Sequence, residues 1–126
     1  MVIRRVLYVE DNIGKFMDVS DYIKQLGVLE VKRVNNAERA VEAIESAEKP
    51  FDLFLFDMHF NFFGKDDQKA GENLMHLLRE KGYNTPVVFC SSENWKIEGA
   101  AGNIFYNPRR NWEDETKELF DQLKKL

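Results

Sequence analysis

Three carboxylates are the residues of this sequence best suited to chemistry. Glu10 and Asp11 directly follow the apolar run 6–9, and Asp57 directly follows the apolar run 51–56. Taken singly, an acidic residue in such a place is ordinarily a helix cap or a solvated loop residue. Brought together, unpaired carboxylates raise one another's pKa, and a hard cation such as Mg²⁺ relieves the repulsion. Carboxylates with Mg²⁺ support phosphoryl transfer, and an aspartate can itself be the covalent nucleophile.

Whether these carboxylates meet depends on the elements that carry them. Five short apolar runs alternate with helical patterns, at residues 6–9, 28–34, 51–56, 86–90 and 104–106. Such alternation is typical of parallel βαβ units, and near-continuous apolarity indicates strands covered on both faces. Because crossovers are right-handed, we expect a doubly wound α/β sandwich of the flavodoxin-like type. Its five-stranded parallel sheet would have the strand order 2-1-3-4-5.

In such sheets, ligands bind beyond the carboxyl ends of the strands, at the point where the strand order reverses. That point lies between the first and third strands, which end at Glu10-Asp11 and Asp57 respectively. The architecture therefore predicts a single acidic crevice containing all three carboxylates.

Four segments show the three- and four-residue spacing of apolar side chains that predicts amphipathic helices. They cover residues 13–26, 37–47, 74–81 and 112–125. Asn36 and Asn111 are candidate N-caps of the second and the last of these helices. Between the fourth and fifth strands, Gly99 and Gly102 leave room for at most a turn or two, so we expect a shortened fourth helix there.

Composition narrows the class of protein. The chain has 126 residues, a net charge of -4 and 44% hydrophobic residues, which fits one domain spanning residues 1–126. The small negative net charge argues against binding to nucleic acid or to an anionic membrane through a broad basic surface. One cysteine, Cys90, excludes an intrachain disulfide and a multi-cysteine zinc site. We expect a cytoplasmic protein without a signal peptide or membrane span.

Four segments carry a resemblance to a known family. They are VLYVEDN at 6–12, FDLFLFDM at 51–58, PVVFCSS at 86–92 and IFYNP at 104–108. Together they resemble the receiver domain of two-component response regulators, and the resemblance extends over the whole chain. It implies a signalling domain rather than an enzyme, whose only chemistry is its own phosphorylation and dephosphorylation.

The resemblance implies a role for each acidic residue. Asp57 matches the phosphoacceptor, and Glu10 and Asp11 match the acidic pair that binds Mg²⁺. His59 matches the position whose backbone carbonyl completes the metal site, while its imidazole is more simply explained as a solvated loop side chain.

The resemblance also covers the residues that would contact the phosphoryl group. Ser91 matches the hydroxyl residue that bonds this group, and Ser92 the small residue whose amide contacts it; otherwise the Ser91 hydroxyl bonds local backbone. Asn107 stands where the family has a lysine that pairs with the phosphoryl charge. Arg109 or Arg110 could fold back as a substitute, or could be solvated or lie at a partner surface.

Two segments depart from the family in length. The loop from Asp57 to Gly71 is longer than usual and carries three aromatics, Phe60, Phe62 and Phe63. These could form a docking patch or lid, or could pack back on the third helix and fourth strand. The segment from Ser91 to Asn107 is correspondingly shorter, and the family's switch aromatic falls at Ile104. Phe105 and Tyr106 are expected to point elsewhere or to fill the core.

Three functions follow from this reading. The first is a stand-alone receiver that takes a phosphoryl group on Asp57 from a histidine kinase or phosphotransfer protein. It would signal through an output protein, and a homodimer is among the assemblies the family allows. The second is a pseudo-receiver, an interaction module that does not depend on phosphorylation, which Asn107 favours. The third is a magnesium-dependent phosphatase, although His59 stands where such enzymes have a second aspartate.

Overall fold

A five-stranded parallel sheet forms the centre of the molecule. The computed structural model describes all residues from 1 to 126. The strands are β1 (Arg5–Val9), β2 (Glu30–Val34), β3 (Leu53–Phe56), β6 (Val87–Ser91) and β7 (Gly102–Phe105), in the order β2-β1-β3-β6-β7. Counted along the five parallel strands, this is the predicted order 2-1-3-4-5. Strand order therefore reverses between β1 and β3, as expected.

Four helices cover the two faces of the sheet. They are α1 (Ile13–Gln25), α2 (Ala37–Ser46), α3 (Ala70–Glu80) and α4 (Trp112–Lys124). Asn36 and Asn111 cap α2 and α4 as predicted, since their side-chain oxygens accept from the backbone amides of Arg39 and Asp114. None of the four helices combines the length and apolarity that a membrane span requires.

The sheet separates two hydrophobic cores. One contains alternate residues of β3 such as Phe54 and Phe56, packed with side chains of α2 and α3. The other contains Leu53 and Leu55, packed with side chains of α1 and α4. Because β3 is central and buried on both faces, all four of its residues are apolar. The buried sheet thus fixes the positions of the strand ends relative to one another.

The expected short fourth helix is absent. Residues 92–101, between β6 and β7, form bends and a turn with no helix. Gly99 lies at φ 90°, a conformation that interrupts a helix, and the segment is too short for both a helix and its two connections. Trp95 and Ile97 of this segment pack against the α2–α3 core instead.

The long loop after β3 contains a small antiparallel hairpin, which the sequence analysis did not predict. Its strands are β4 (Phe60–Phe62) and β5 (Lys65–Asp67). Phe60 is buried and Phe62 half-buried against the α2–α3 core, which confirms that these two aromatics pack back on the protein. Phe63 occupies the hairpin turn at φ 52° with half of its surface exposed.

Candidate functional site

A cleft of about 860 Å³ opens at the carboxyl ends of the parallel strands. Its lining includes Glu10, Asp11, Asp57, Ser91 and Asn107, all of them residues singled out from the sequence. The cleft lies where the strand order reverses between β1 and β3. The architecture therefore brings the predicted site residues to one place.

The three carboxylates converge within this cleft. Glu10, Asp11 and Asp57 each place one carboxylate oxygen so that all three lie within 4.8 Å of one another. Parallel pairing of Val9 with Phe56 aligns the ends of β1 and β3, and the Asp57 amide donates to the Val9 carbonyl at 3.0 Å. Strand register therefore accounts for the convergence.

Glu10 is the buried member of this acidic cluster. Its side chain has no exposed surface, and its Oε1 accepts a hydrogen bond from the Tyr8 hydroxyl at 3.2 Å. The Asn12 amide donates to Oε2 at 3.3 Å. Burial raises the pKa of the Glu10 carboxyl above its ordinary value, with Asp57 adding to the rise and Lys15 opposing it.

Lys15 is a site residue that sequence reasoning missed. Its Nζ lies 2.8 Å from Glu10 Oε1 and 3.1 Å from Asp57 Oδ1, and donates to the Cys90 carbonyl at 2.7 Å. Burial alone would lower the pKa of the Lys15 amine, but the neighbouring Asp57 and Glu10 carboxylates leave it raised. The ammonium therefore stays charged inside the cleft.

A local signal for Lys15 exists in the sequence. The first turn of α1 contains a lysine and no acidic residue, the reverse of what the helix dipole favours. Because helical side chains lean toward the N-terminus of their helix, a lysine at this position reaches back to the end of β1. A cation in this unfavourable place indicates an anionic neighbour.

Asp57 presents one engaged and one free oxygen. Both hydrogen bonds to its carboxylate go to Oδ1, from Lys15 Nζ at 3.1 Å and from the Met58 amide at 2.8 Å. The side chain is 16% exposed, so it faces the cleft while most of it is enclosed. Oδ2 is therefore available for a bond to an incoming group.

Ser91, at the end of β6, is buried and lines the same cleft. Its Oγ accepts hydrogen bonds from the Glu93 amide and from the Trp95 indole Nε1, each at 3.2 Å. Trp95 in turn lies beneath the Lys69 ammonium, 4.1 Å from ring centroid to Nζ. Trp95 is thus a second site residue that was not predicted from the sequence. Ser92, the next residue after Ser91, lies exposed at the edge of the cleft.

Asn107 lines the cleft but uses its side chain locally. Its Oδ1 accepts from the Arg109 amide at 2.9 Å, which stabilises the turn after β7. The Arg110 guanidinium donates to the Phe105 carbonyl at 2.8 Å and pairs with Glu115. The interpretation of Arg110 as a substitute cation is therefore wrong, and Arg109 is exposed outside the cleft lining.

His59, two residues after Asp57, also has a nearby partner for its side chain. His59 Nε2 lies 2.7 Å from Asp66 Oδ1 across the base of the hairpin, and both side chains are largely exposed. The imidazole thus stays apart from the carboxylate cluster, as expected. Asp67, in the second strand of the same hairpin, accepts from the Lys69 amide and the Asn73 side chain at the start of α3.

The carboxylate cluster fits a magnesium ion. Mg²⁺ takes oxygen ligands at about 2.0–2.1 Å, so ligand oxygens on opposite sides of the ion lie about 4 Å apart. The carboxylate oxygens of Glu10, Asp11 and Asp57 lie within 4.8 Å of one another, so small side-chain movements would bring them to that separation. The donor set is all oxygen, and the exposed Asp11 leaves the site open to water and ligands.

Comparison with known proteins identifies the fold. No protein-family model matches the chain, and no curated protein matches it. Among solved structures, the chemotaxis response regulator CheY4 of Vibrio cholerae matches with a TM-score of 0.67 at 20% identity, over 98% of each chain. The response regulator TrrA of Thermotoga maritima, in complex with Mg²⁺-BeF, matches with a TM-score of 0.70 at 16% identity, over 98% of each chain.

A third solved structure shares the same fold. The signal receiver domain of an HD domain-containing protein from Pseudomonas fluorescens Pf-5 gives a TM-score of 0.73 at 14% identity, over 98% of this chain and 96% of that one. The fold is that of response regulator receiver domains. At these identities the similarity establishes the fold, and the chemistry of the site has to be argued from its own residues.

The last strand of this receiver fold lacks an aromatic at the predicted switch position. Ile104 is buried in the core there. Phe105 lies half-buried beneath the Arg110 guanidinium, and Tyr106 is buried with its hydroxyl donating to Asp18 at 2.6 Å. Of the two expectations, Tyr106 meets the second, since it packs in the α1–α4 core while its edge lines the cleft, and Phe105 lies outside both cores.

Proposed function

We propose that residues 1–126 form a receiver domain that accepts a phosphoryl group on Asp57 in a magnesium-dependent reaction. The donor would be a histidine kinase or phosphotransfer protein, and the domain would signal in the cytoplasm through contacts with an output protein. One observation carries this proposal: Glu10, Asp11 and Asp57 converge within 4.8 Å at the strand-order reversal of a receiver fold. Ser91 lines the same cleft.

The residues of the cleft suit the transfer step. Asp57 Oδ2 attacks the phosphorus, so that a P–O bond forms as the P–N bond of a phosphohistidine breaks. The electron pair of that bond stays on the imidazole nitrogen of the donor. Lys15 and the Met58 amide hold Oδ1, which fixes the orientation of the nucleophile.

A magnesium ion would be held by Glu10, Asp11, Asp57 and the backbone carbonyl of His59. When bound, it neutralises negative charge on the oxygens of the group being transferred. The TrrA neighbour was solved with Mg²⁺-BeF, which supports the same cofactor for this fold. The Ser91 hydroxyl and the Ser92 amide would donate hydrogen bonds to the transferred group, and both residues line the cleft.

A pseudo-receiver remains the alternative, because two observations favour it. Asn107 bonds its own turn and contributes no charge to the cleft. The segment between β6 and β7 has no helix, so that surface differs from the one the family resemblance implies. In this case the acidic cluster would not mediate a phosphorylation response.

A titration with beryllofluoride, a phosphoryl mimic, separates the two functions. We expect saturable binding in the presence of Mg²⁺, with amide chemical shift changes near Ser91 and at the Trp95 indole by NMR. Asp57→Asn should abolish the response, and Asp66→Asn, an exposed hairpin aspartate, should retain it. Absence of any magnesium-dependent shift in the unmodified protein would favour the pseudo-receiver.

A further inference from the structure

We propose that Lys15 supplies the positive charge that pairs with the phosphoryl group on Asp57. In this account, a lysine in the first turn of α1 takes the role of the lysine that the family has at the position of Asn107. The inference rests on the proposed function, because it assigns a residue to the phosphorylated state of the same cleft.

The ammonium of Lys15 already occupies the required place. Its three oxygen partners, Asp57 Oδ1, Glu10 Oε1 and the Cys90 carbonyl, lie at 3.1, 2.8 and 2.7 Å. An ammonium has three N–H donors, so the group is fully satisfied. The side chain is 11% exposed, which keeps its charge poorly screened by solvent.

No other cation of the chain competes for this role. Of the residues that line the cleft, Lys15 is the sole lysine or arginine. The Arg33 guanidinium is close, but it donates to the backbone carbonyls of Glu10 and Asp11 from outside the cluster. Lys69 is stacked on Trp95, and Arg110 pairs with Glu115.

Charge balance explains why the site needs a cation besides Mg²⁺. A phosphoryl group on Asp57 replaces one negative charge with about two. With Glu10 and Asp11 ionised, a bound Mg²⁺ leaves an excess of about two negative charges, and Lys15 halves that excess. The flexible four-carbon stem of lysine lets Nζ follow the new oxygens without a backbone change.

The third partner of Lys15 connects this charge to the neighbouring strand. Cys90, whose carbonyl accepts from Nζ, directly precedes Ser91 on β6. A move of Nζ from the Asp57 carboxylate toward phosphoryl oxygens would alter this contact. Lys15 is thus placed to pass the change in charge at Asp57 to the strand that carries Ser91.

Beryllofluoride affinity at saturating Mg²⁺ tests the proposal. The variants are Lys15→Met, the double variant Lys15→Met with Asn107→Lys, and Lys24→Met as a control. Lys24 is exposed on the same helix and away from the cleft. Lys15→Met should weaken the affinity about tenfold to a hundredfold, the loss expected for a hydrogen bond between charged groups.

Two further readouts distinguish a charge role from a structural one. Magnesium affinity of Lys15→Met should rise, because a cation that competes for Glu10 and Asp57 has been removed, whereas a distorted site would bind Mg²⁺ more weakly. The double variant should regain beryllofluoride affinity to within a few fold of the unmodified protein. Lys24→Met should match the unmodified protein in both affinities.

The outcomes separate this inference from the proposed function. If the unmodified protein binds no beryllofluoride at saturating Mg²⁺, the proposed function fails and Lys15 has no phosphoryl group to pair with. If the unmodified protein binds it and Lys15→Met binds equally well, only the role of Lys15 is overturned. Loss of both affinities in Lys15→Met, with no recovery in the double variant, would also overturn it.

Discussion

The Glu10 carboxylate has no exposed surface, and it lies beside the carboxylates of Asp11 and Asp57 in the cleft. Three groups make this arrangement tolerable: the Lys15 ammonium, the Tyr8 hydroxyl and the Asn12 amide. A buried carboxylate without such partners would have to take up a proton. The Lys15 ammonium offsets only one of the three carboxylate charges, so the resting cluster keeps a net negative charge.

The Tyr8 hydroxyl provides a test of how this buried carboxylate is held. Tyr8→Phe keeps the ring and removes the donor to Glu10 Oε1, so we expect the free energy of unfolding to fall by about 1–2 kcal/mol. Urea denaturation without metal measures the change. Tyr22→Phe is the matched control, since the Tyr22 hydroxyl makes no hydrogen bond within the protein, and its effect should be near zero. Equal effects of the two substitutions would contradict this role of Tyr8.

Individual site residues differed in how well the sequence predicted them. The positions of Glu10, Asp11 and Asp57 followed from their place after apolar runs, because the carboxyl ends of parallel strands share one edge. Lys15 and Trp95 were missed because their partners come from other elements. The place of Lys15 in the first turn of α1 indicates an anionic neighbour, but it does not specify which oxygens the side chain reaches. The caps at Asn36 and Asn111 were predictable because capping is local.

At the level of elements, α3 packs closely against the end of β3 through a glycine. A Cβ at Gly71 would overlap the backbone carbonyl oxygen of Asp57, and the Gly71 amide donates to the Met58 carbonyl at 3.0 Å. The close approach of α3 therefore helps to fix the backbone of the candidate phosphoacceptor.

Two helical glycines give a matched pair of substitutions. Gly71→Ala should lower the free energy of unfolding by about 1–3 kcal/mol, because backbone atoms must shift to admit the methyl group. Gly14→Ala should raise it by about 0.5 kcal/mol, because the nearest atom to its Cβ lies 3.5 Å away and alanine favours the helix. Thermal or urea unfolding checks both. A neutral Gly71→Ala would contradict the close packing.

The elements that the sequence failed to predict share a physical feature. The hairpin strands β4 and β5 have three residues each, which is too short for a strand pattern to be recognised, and Lys65–Asp67 is charged throughout. Packing of Phe60 into the α2–α3 core holds the hairpin in place, which is a tertiary effect. Gly99 and Gly102 predicted a shortened fourth helix, but they did not predict that this helix would be absent.

On the scale of the whole molecule, the strand order was predictable because alternation of strands and helices permits few topologies. The two cores lie on opposite faces of the sheet, and the acidic cleft opens at its carboxyl edge. That edge contains the acidic cleft, Lys15 and Ser91. The architecture thus brings the candidate site residues together at one edge of the sheet.

Phosphorylation of Asp57 is the central claim, and intact mass after incubation with acetyl phosphate tests it most directly. The account predicts one added phosphoryl group in the presence of Mg²⁺, none with the metal chelated, and none in Asp57→Ala. An adduct of equal yield in Asp57→Ala, or no adduct with Mg²⁺ present, would contradict it.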